Sequence, residues 1–154
     1  MWDKLRKQIA VERKQLNRLF EIYHPLIARV EDRPPDFVEL PALATVLHSF
    51  YTGIENLFKR ITLACGDPMP GGPSSHQTLL DAMVEAGPQR PAVISPSMRD
   101  TLDAYRDFRH MFRHAYGFIL DWSRMAPLVR DAEDTWSRLD VELQAFLDKL
   151  GKQT

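Results

Sequence analysis

"PALATVLHSFYTGIENLFKRITLAC", Pro41 to Cys65, is the stretch whose reading decides the fold. Leu43, Val46, Leu47, Phe50, Ile54, Leu57, Phe58 and Ile61 recur at three- and four-residue intervals, the period of one helix face. Gly66 stands where such a helix would end. The apolar positions are dense enough to predict the most buried helix of the molecule. Gly53 inside it costs about 1 kcal/mol relative to alanine, which points to another backbone passing close by. Glu55 is a lone carboxylate in an apolar run, either a paired core residue or a partner for a basic group.

Reading outward, Trp2, Leu5, Ile9, Leu16, Leu19, Phe20 and Tyr23 form the stripe of a first amphipathic helix, expected to end near Pro25. "EDRPPD" then breaks the chain, because its prolines lack amide donors and bias Arg33 away from helical angles. Past the loop "GDPMPGGPSS", the segment "SSHQTLLDAMVEAGP" reads as a short third helix with a serine cap and a Gly-Pro stop, His76 lying in its first turn. "RPAVISPSM" runs extended until Ser95 and Pro96 open a fourth helix. A fifth, from about Pro127, holds Leu128, Ala132, Trp136, Leu139, Leu143, Phe146 and Leu150 on one face. Only the doubtful "AVIS" suggests a strand. The expected fold is all-α, an antiparallel bundle of about five helices in a single domain over residues 1–154.

Composition narrows the function classes. Twenty Lys plus Arg against 21 Asp plus Glu give a net charge of −1, so any nucleic-acid contact must be local. The one cysteine, Cys65, cannot form an internal disulfide. The charged N-terminus resembles neither a signal peptide nor a membrane span, which predicts a cytoplasmic protein with no membrane partner. No Gly-rich phosphate loop, nucleophile elbow or zinc-protease helix occurs, and no repeat is found.

One local exception to neutrality is "RDFRHMFRHAY", Arg106 to Tyr116, expected to continue the fourth helix. At roughly 100° per residue, Arg106, Arg109, Arg113 and Tyr116 fall on adjoining parts of one side, with His110 and His114 as i,i+4 neighbours beside them. This is an anion site in outline. The plainer reading is a solvated face paired with Asp100, Asp103 and Asp107, with Tyr105, Phe112 and Tyr116 packing in a core or interface. The HxxxH spacing suits a divalent metal, yet zinc needs a third protein ligand and spacing marks none. His48 reads as a surface or interface residue. Arg109 and His114 lie about 140° apart on an ideal helix and do not meet within one chain, although two copies across a two-fold axis could bring them together.

"RHMFRHAY", Arg109 to Tyr116, resembles the Arg, four residues, His, one residue, Tyr pattern of HEPN-domain proteins, specifically HepT-like ribonuclease toxins of toxin-antitoxin pairs. "YTGIENLFKRI", "HQTLLDAM", "RPAVIS" and the Trp- and Leu-bearing last helix extend the resemblance over essentially the whole chain. It implies a helical bundle that dimerises through its motif helices to form a composite cleft, cutting RNA without metal or cofactor. Arg109 is then the phosphate clamp, its planar fork matching two phosphate oxygens. His114 is the acid or base, since an imidazole of ordinary pKa about 6.5 exists in either form near neutrality. His110 is a second polar group, and Arg106 and Arg113 steer RNA. By the same resemblance the partner is a nucleotidyltransferase antitoxin that adds AMP to Tyr116, placing bulk and negative charge where phosphates approach. The alternative is a non-catalytic helical dimer serving as a binding or accessory module.

Overall fold

The apolar spacing of the opening stretch is realised as one helix, α2 (Glu39–Ala64), in a computed structural model that describes residues 1–114 and 120–151. Around it stand α1 (Asp3–Arg29), α3 (Ser75–Ala82), α4 (Pro96–Arg113) and α5 (Trp122–Leu150). The described residues contain no strand, only an isolated bridge between Gly87 and Arg90. "AVIS" forms no strand: Val93 and Ile94 lie in a bend, and their amides both donate to the Met83 carbonyl. None of the described helices is long and apolar enough to cross a membrane.

Helix α2 touches all four others, which makes it the axis of the bundle. Its Phe50 ring meets Phe20 of α1 and Tyr105 of α4 edge-on, each at 5.2 Å between centroids. Such pairs add about 0.5–1.5 kcal/mol beyond the area they bury. Gly53 meets its expectation in part: what comes close is the Leu16 side chain of α1 rather than a backbone, its Cδ2 standing 2.7 Å from where a Cβ would be. Helix α5 closes the bundle through polar ties as well as its apolar face. Trp136 donates to Asn17, Arg13 to Asp140, and the Tyr105 hydroxyl to the Leu128 carbonyl.

Several boundaries differ from the sequence reading. Helix α1 runs through Pro25 to Arg29. An interior proline costs about 3 kcal/mol, but the continuation buries Ile27 and Val30, and two such side chains contribute about 1.5–3 kcal/mol each. Helix α5 begins at Trp122, upstream of Pro127, because Asp121 caps it by accepting from the Ser123 amide and the added turn buries Met125. Helix α3 ends at Ala82, well short of the Gly-Pro pair, and Ser74 precedes it without a side-chain cap. Ser95 and Pro96 do open α4, the serine oxygen accepting from the Met98 amide. That helix is described to Arg113 with His114 as its C-cap. Tyr116 lies outside the described residues.

Two polar devices fix the elements that build the site. Arg90, 5% exposed, binds Asp67 at 2.7 Å and donates to the carbonyls of Ala82, Glu85 and Pro91, pinning the chain on both sides of α3. At the start of α2, the Asp36 carboxylate accepts from the Glu39 amide at 2.8 Å while Glu39 accepts from the Asp36 amide at 3.0 Å, a reciprocal capping box. Arg29 and Arg33 close on the same Glu39 carboxylate. The Asp36 amide, followed by the two guanidiniums, holds that carboxyl below its ordinary pKa. This box moves the start of α2 ahead of Pro41.

Replacing the capping aspartate, Asp36→Ala, is expected to cost about 1 kcal/mol, read as a fall in Tm of about 2–4 °C for a chain of this size. An unchanged melting curve would show that the box does not hold the α2 terminus.

Candidate functional site

The last turns of α4 lie against the middle of α2, and the contact is organised by Glu55. This carboxylate is 2% exposed, on the face of α2 that α3 and α4 cover. Arg109 Nη1 approaches its Oε1 at 3.0 Å. From α3, His76 Nδ1 lies 2.9 Å from Oε1 and 2.8 Å from Oε2. Lys59, one turn along α2, stands 4.0 Å from Oε1. The open alternative for Glu55 thus resolves toward partnership with basic groups. A buried carboxylate requires such partners, since its desolvation is offset only by opposed charge and hydrogen bonds.

Arg109 is itself only 13% exposed, with its guanidinium over the Tyr51 ring at 5.9 Å. Its Nε is buried without a hydrogen-bond partner among the described residues, as is the Tyr51 hydroxyl. Burial first, and then the Glu55 charge, pushes the Tyr51 phenol far above its ordinary pKa, so it stays neutral. The plainer reading of the arginines therefore holds in part. Arg106 pairs with Asp103 at 2.7 Å, but Arg109 turns inward to Glu55. Arg113 is exposed and has no carboxylate partner among the described residues.

These groups line a cleft of about 290 Å³ walled by Arg106, Arg109, His110 and Arg113 of α4, by His76 and Gln77 of α3, and by Glu55. The His110 and His114 rings lie 4.6 Å apart between centroids and are tilted by 59°, both exposed, His110 on the cleft wall and His114 at the α4 C-cap. The two residues judged five apart on a helix thus take different environments, Arg109 half-buried and His114 at an exposed C-cap. On the other flank His48 packs on Phe112 at 5.5 Å, and Phe112 stacks on Phe108. Burial, followed by the positive charges of Arg109 and Arg113, lowers the His48 pKa. No group of three or more His, Cys, Asp or Glu that could hold a metal occurs among the described residues.

Sequence reasoning missed the place of His76, because nothing local links a first-turn histidine of α3 to a carboxylate 21 residues earlier. The available signal was Glu55, whose burial demanded a partner.

A family model described as HepT-like protein matches residues 42–150, well over half of the chain. No curated protein and no solved structure gives a match. The matched span takes in α2 from residue 42 onward and all of α3 to α5, and with them Glu55, His76 and the whole arginine-rich end of α4.

Two outcomes follow from this geometry. Glu55→Ala leaves the Arg109 charge partly buried without its carboxylate and is expected to lose about 3 kcal/mol in urea unfolding. Arg109→Ala should lose less, because His76 and Lys59 still face Glu55; equal losses would contradict the account. His48, whose folded-state pKa is depressed, is neutral in the native protein while the unfolded chain takes up the proton first. Its contribution is full above the ordinary imidazole value and is lost as pH falls through the acidic interval below it. A His48→Gln variant should therefore lose less stability over that interval than the wild type, and parallel curves would refute the assignment.

By its matched span and its Arg109–His114 motif, the chain belongs to the HepT-like protein family.

Proposed function

We propose that this chain is a metal-independent endoribonuclease toxin that cuts RNA at a cleft completed by a second copy of itself. The observation that carries this reading is the cation-lined cleft at the C-terminal end of α4, in a chain whose net charge is −1. Arg106, Arg109 and Arg113 meet His110 and His76 there, a local field suited to a phosphodiester. Cleavage through the 2'-hydroxyl needs proton transfer at two oxygens and a positive group facing the oxygens of the crowded, negatively charged phosphorane. Arg109 supplies the charge, held in orientation by Glu55. His114, exposed at the end of α4, exchanges a proton, and His110, whose ring lies 4.6 Å away, stands beside it as a polar support. Arg106 and Arg113 guide the strand. Dimerisation through α4 brings a second set of these groups to the same cleft.

On this reading the antitoxin is a nucleotidyltransferase, and AMP transfer to Tyr116, two residues after His114, silences the enzyme by adding bulk and negative charge that oppose RNA phosphates. A second reading, a non-catalytic helical dimer, is favoured by one observation: Arg109 is 13% exposed and already paired with Glu55, as a structural ion pair would be.

Incubation of total RNA with the purified protein in EDTA separates the two. Wild type should cleave, while Arg109→Lys, which keeps the charge but loses the fork, and His114→Ala should be slower by about 10²-fold or more. Cleavage undiminished in His114→Ala would support the non-catalytic reading of the motif, as would no cleavage by a folded wild-type dimer free of AMP.

A further inference from the structure

The histidine that most directly shares the Arg109 site is on another helix. His76 and Arg109 both contact Glu55 Oε1, at 2.9 and 3.0 Å, so a phosphate held by Arg109 is brought beside the imidazole. His76 Nδ1 lies against both oxygens of a carboxylate that is 2% exposed, whereas its side chain is 37% exposed and lines the cleft. Its Nε2 has no protein partner among the described residues. A buried carboxylate on one imidazole nitrogen fixes the ring and its tautomer: Nδ1 keeps its hydrogen for Glu55, and Nε2 presents a lone pair outward. That is the arrangement in which a carboxylate orients a histidine base and stabilises the imidazolium it becomes.

Two features distinguish this from a purely structural ion pair. Arg109 and Lys59 already give Glu55 cationic partners, so the carboxylate does not depend on an imidazole for its charge balance. In addition, α3 is a short helix that buries only Leu79 and Leu80, yet the chain on both sides of it is locked by Arg90. The lock sets His76 over the cleft. The groups facing it are Glu55 and Lys59 from α2 and Arg106, Arg109, His110 and Arg113 from α4.

We propose that His76, oriented by Glu55, is the general base of the reaction. This inference rests on the ribonuclease reading above and adds a catalytic residue outside the arginine-histidine motif. His76 Nε2 accepts the proton of the RNA 2'-hydroxyl as the 2'-oxygen bonds to phosphorus. The bond from phosphorus to the 5'-oxygen breaks, and His114, in its imidazolium form, donates a proton to that leaving oxygen. The products are a 2',3'-cyclic phosphate and a 5'-hydroxyl end, with both histidines restored by proton exchange with water. Glu55 is a positioning residue, acting through His76 and Arg109 alike.

The test uses the full-length protein with an RNA oligonucleotide in EDTA, comparing wild type, His76→Ala and His76→Gln. Glutamine can still donate to Glu55 from its amide but cannot accept a proton, so it preserves a structural role and removes the chemical one. Both variants should lose kcat by about 10²-fold or more, with KM changed by no more than about threefold. Added imidazole should restore part of the activity of His76→Ala. A His76→Gln variant that cleaves at the wild-type rate, or a loss carried wholly in KM, overturns the assignment of the base while leaving the ribonuclease reading intact. Absence of cleavage by wild type overturns that reading and this one with it.

Discussion

A carboxylate sits in the middle of the most apolar helix of this protein, and the rest of the site is a response to it. Glu55 is flanked along α2 by Tyr51, Ile54 and Phe58, all fully buried. Without partners, an ionised group in such a place would be expelled or protonated. The chain meets that constraint by bringing Arg109 from α4 and His76 from α3 to the same carboxylate, where they share Oε1. One buried charge therefore sets the docking of two helices and gathers Arg109 and His76 at one point.

The arrangement also explains how a nearly neutral molecule carries a positive cleft. Asp103 and Glu55 balance Arg106 and Arg109, whereas Arg113 remains exposed at the end of α4. The field reaches across to α2, where it helps keep His48 neutral. A guanidinium anchored by Glu55 is more useful to a phosphate than one free in solvent, since less of its conformational freedom remains to be lost on binding. In the proposed ribonuclease the same ion pair serves both stability and orientation, so the stability and the activity of its variants should not move in parallel.

Much of the architecture was legible in the sequence. The eight apolar positions between Leu43 and Ile61, the break at "EDRPPD" and the Ser95-Pro96 cap all reappear in the structure, because each reflects local periodicity or backbone chemistry. Gly53 was also readable, its missing side chain marking the approach of Leu16. Two of the misplaced boundaries share a cause. Burial of Ile27 and Val30 past Pro25, and of Met125 and Ala126 ahead of Pro127, outweighs a lost backbone hydrogen bond, and that burial is a property of the folded whole. The site was legible in its motif but not in its assembly. Spacing placed Arg106, Arg109 and Arg113 near one another, whereas the pairing of Arg109 with Glu55, and of Glu55 with His76, depends on how α2, α3 and α4 pack.

The claim on which the account turns is that the cleft beside Glu55 receives the phosphodiester backbone. It is tested most directly by following the arginine guanidinium NMR signals during titration with an oligonucleotide whose 2'-hydroxyls are replaced by hydrogen, which binds but cannot be cut. The account predicts that the Arg109 signal moves together with those of Arg106 and Arg113 and saturates with them. Binding that leaves Arg109 unmoved, or no binding at all, would contradict it.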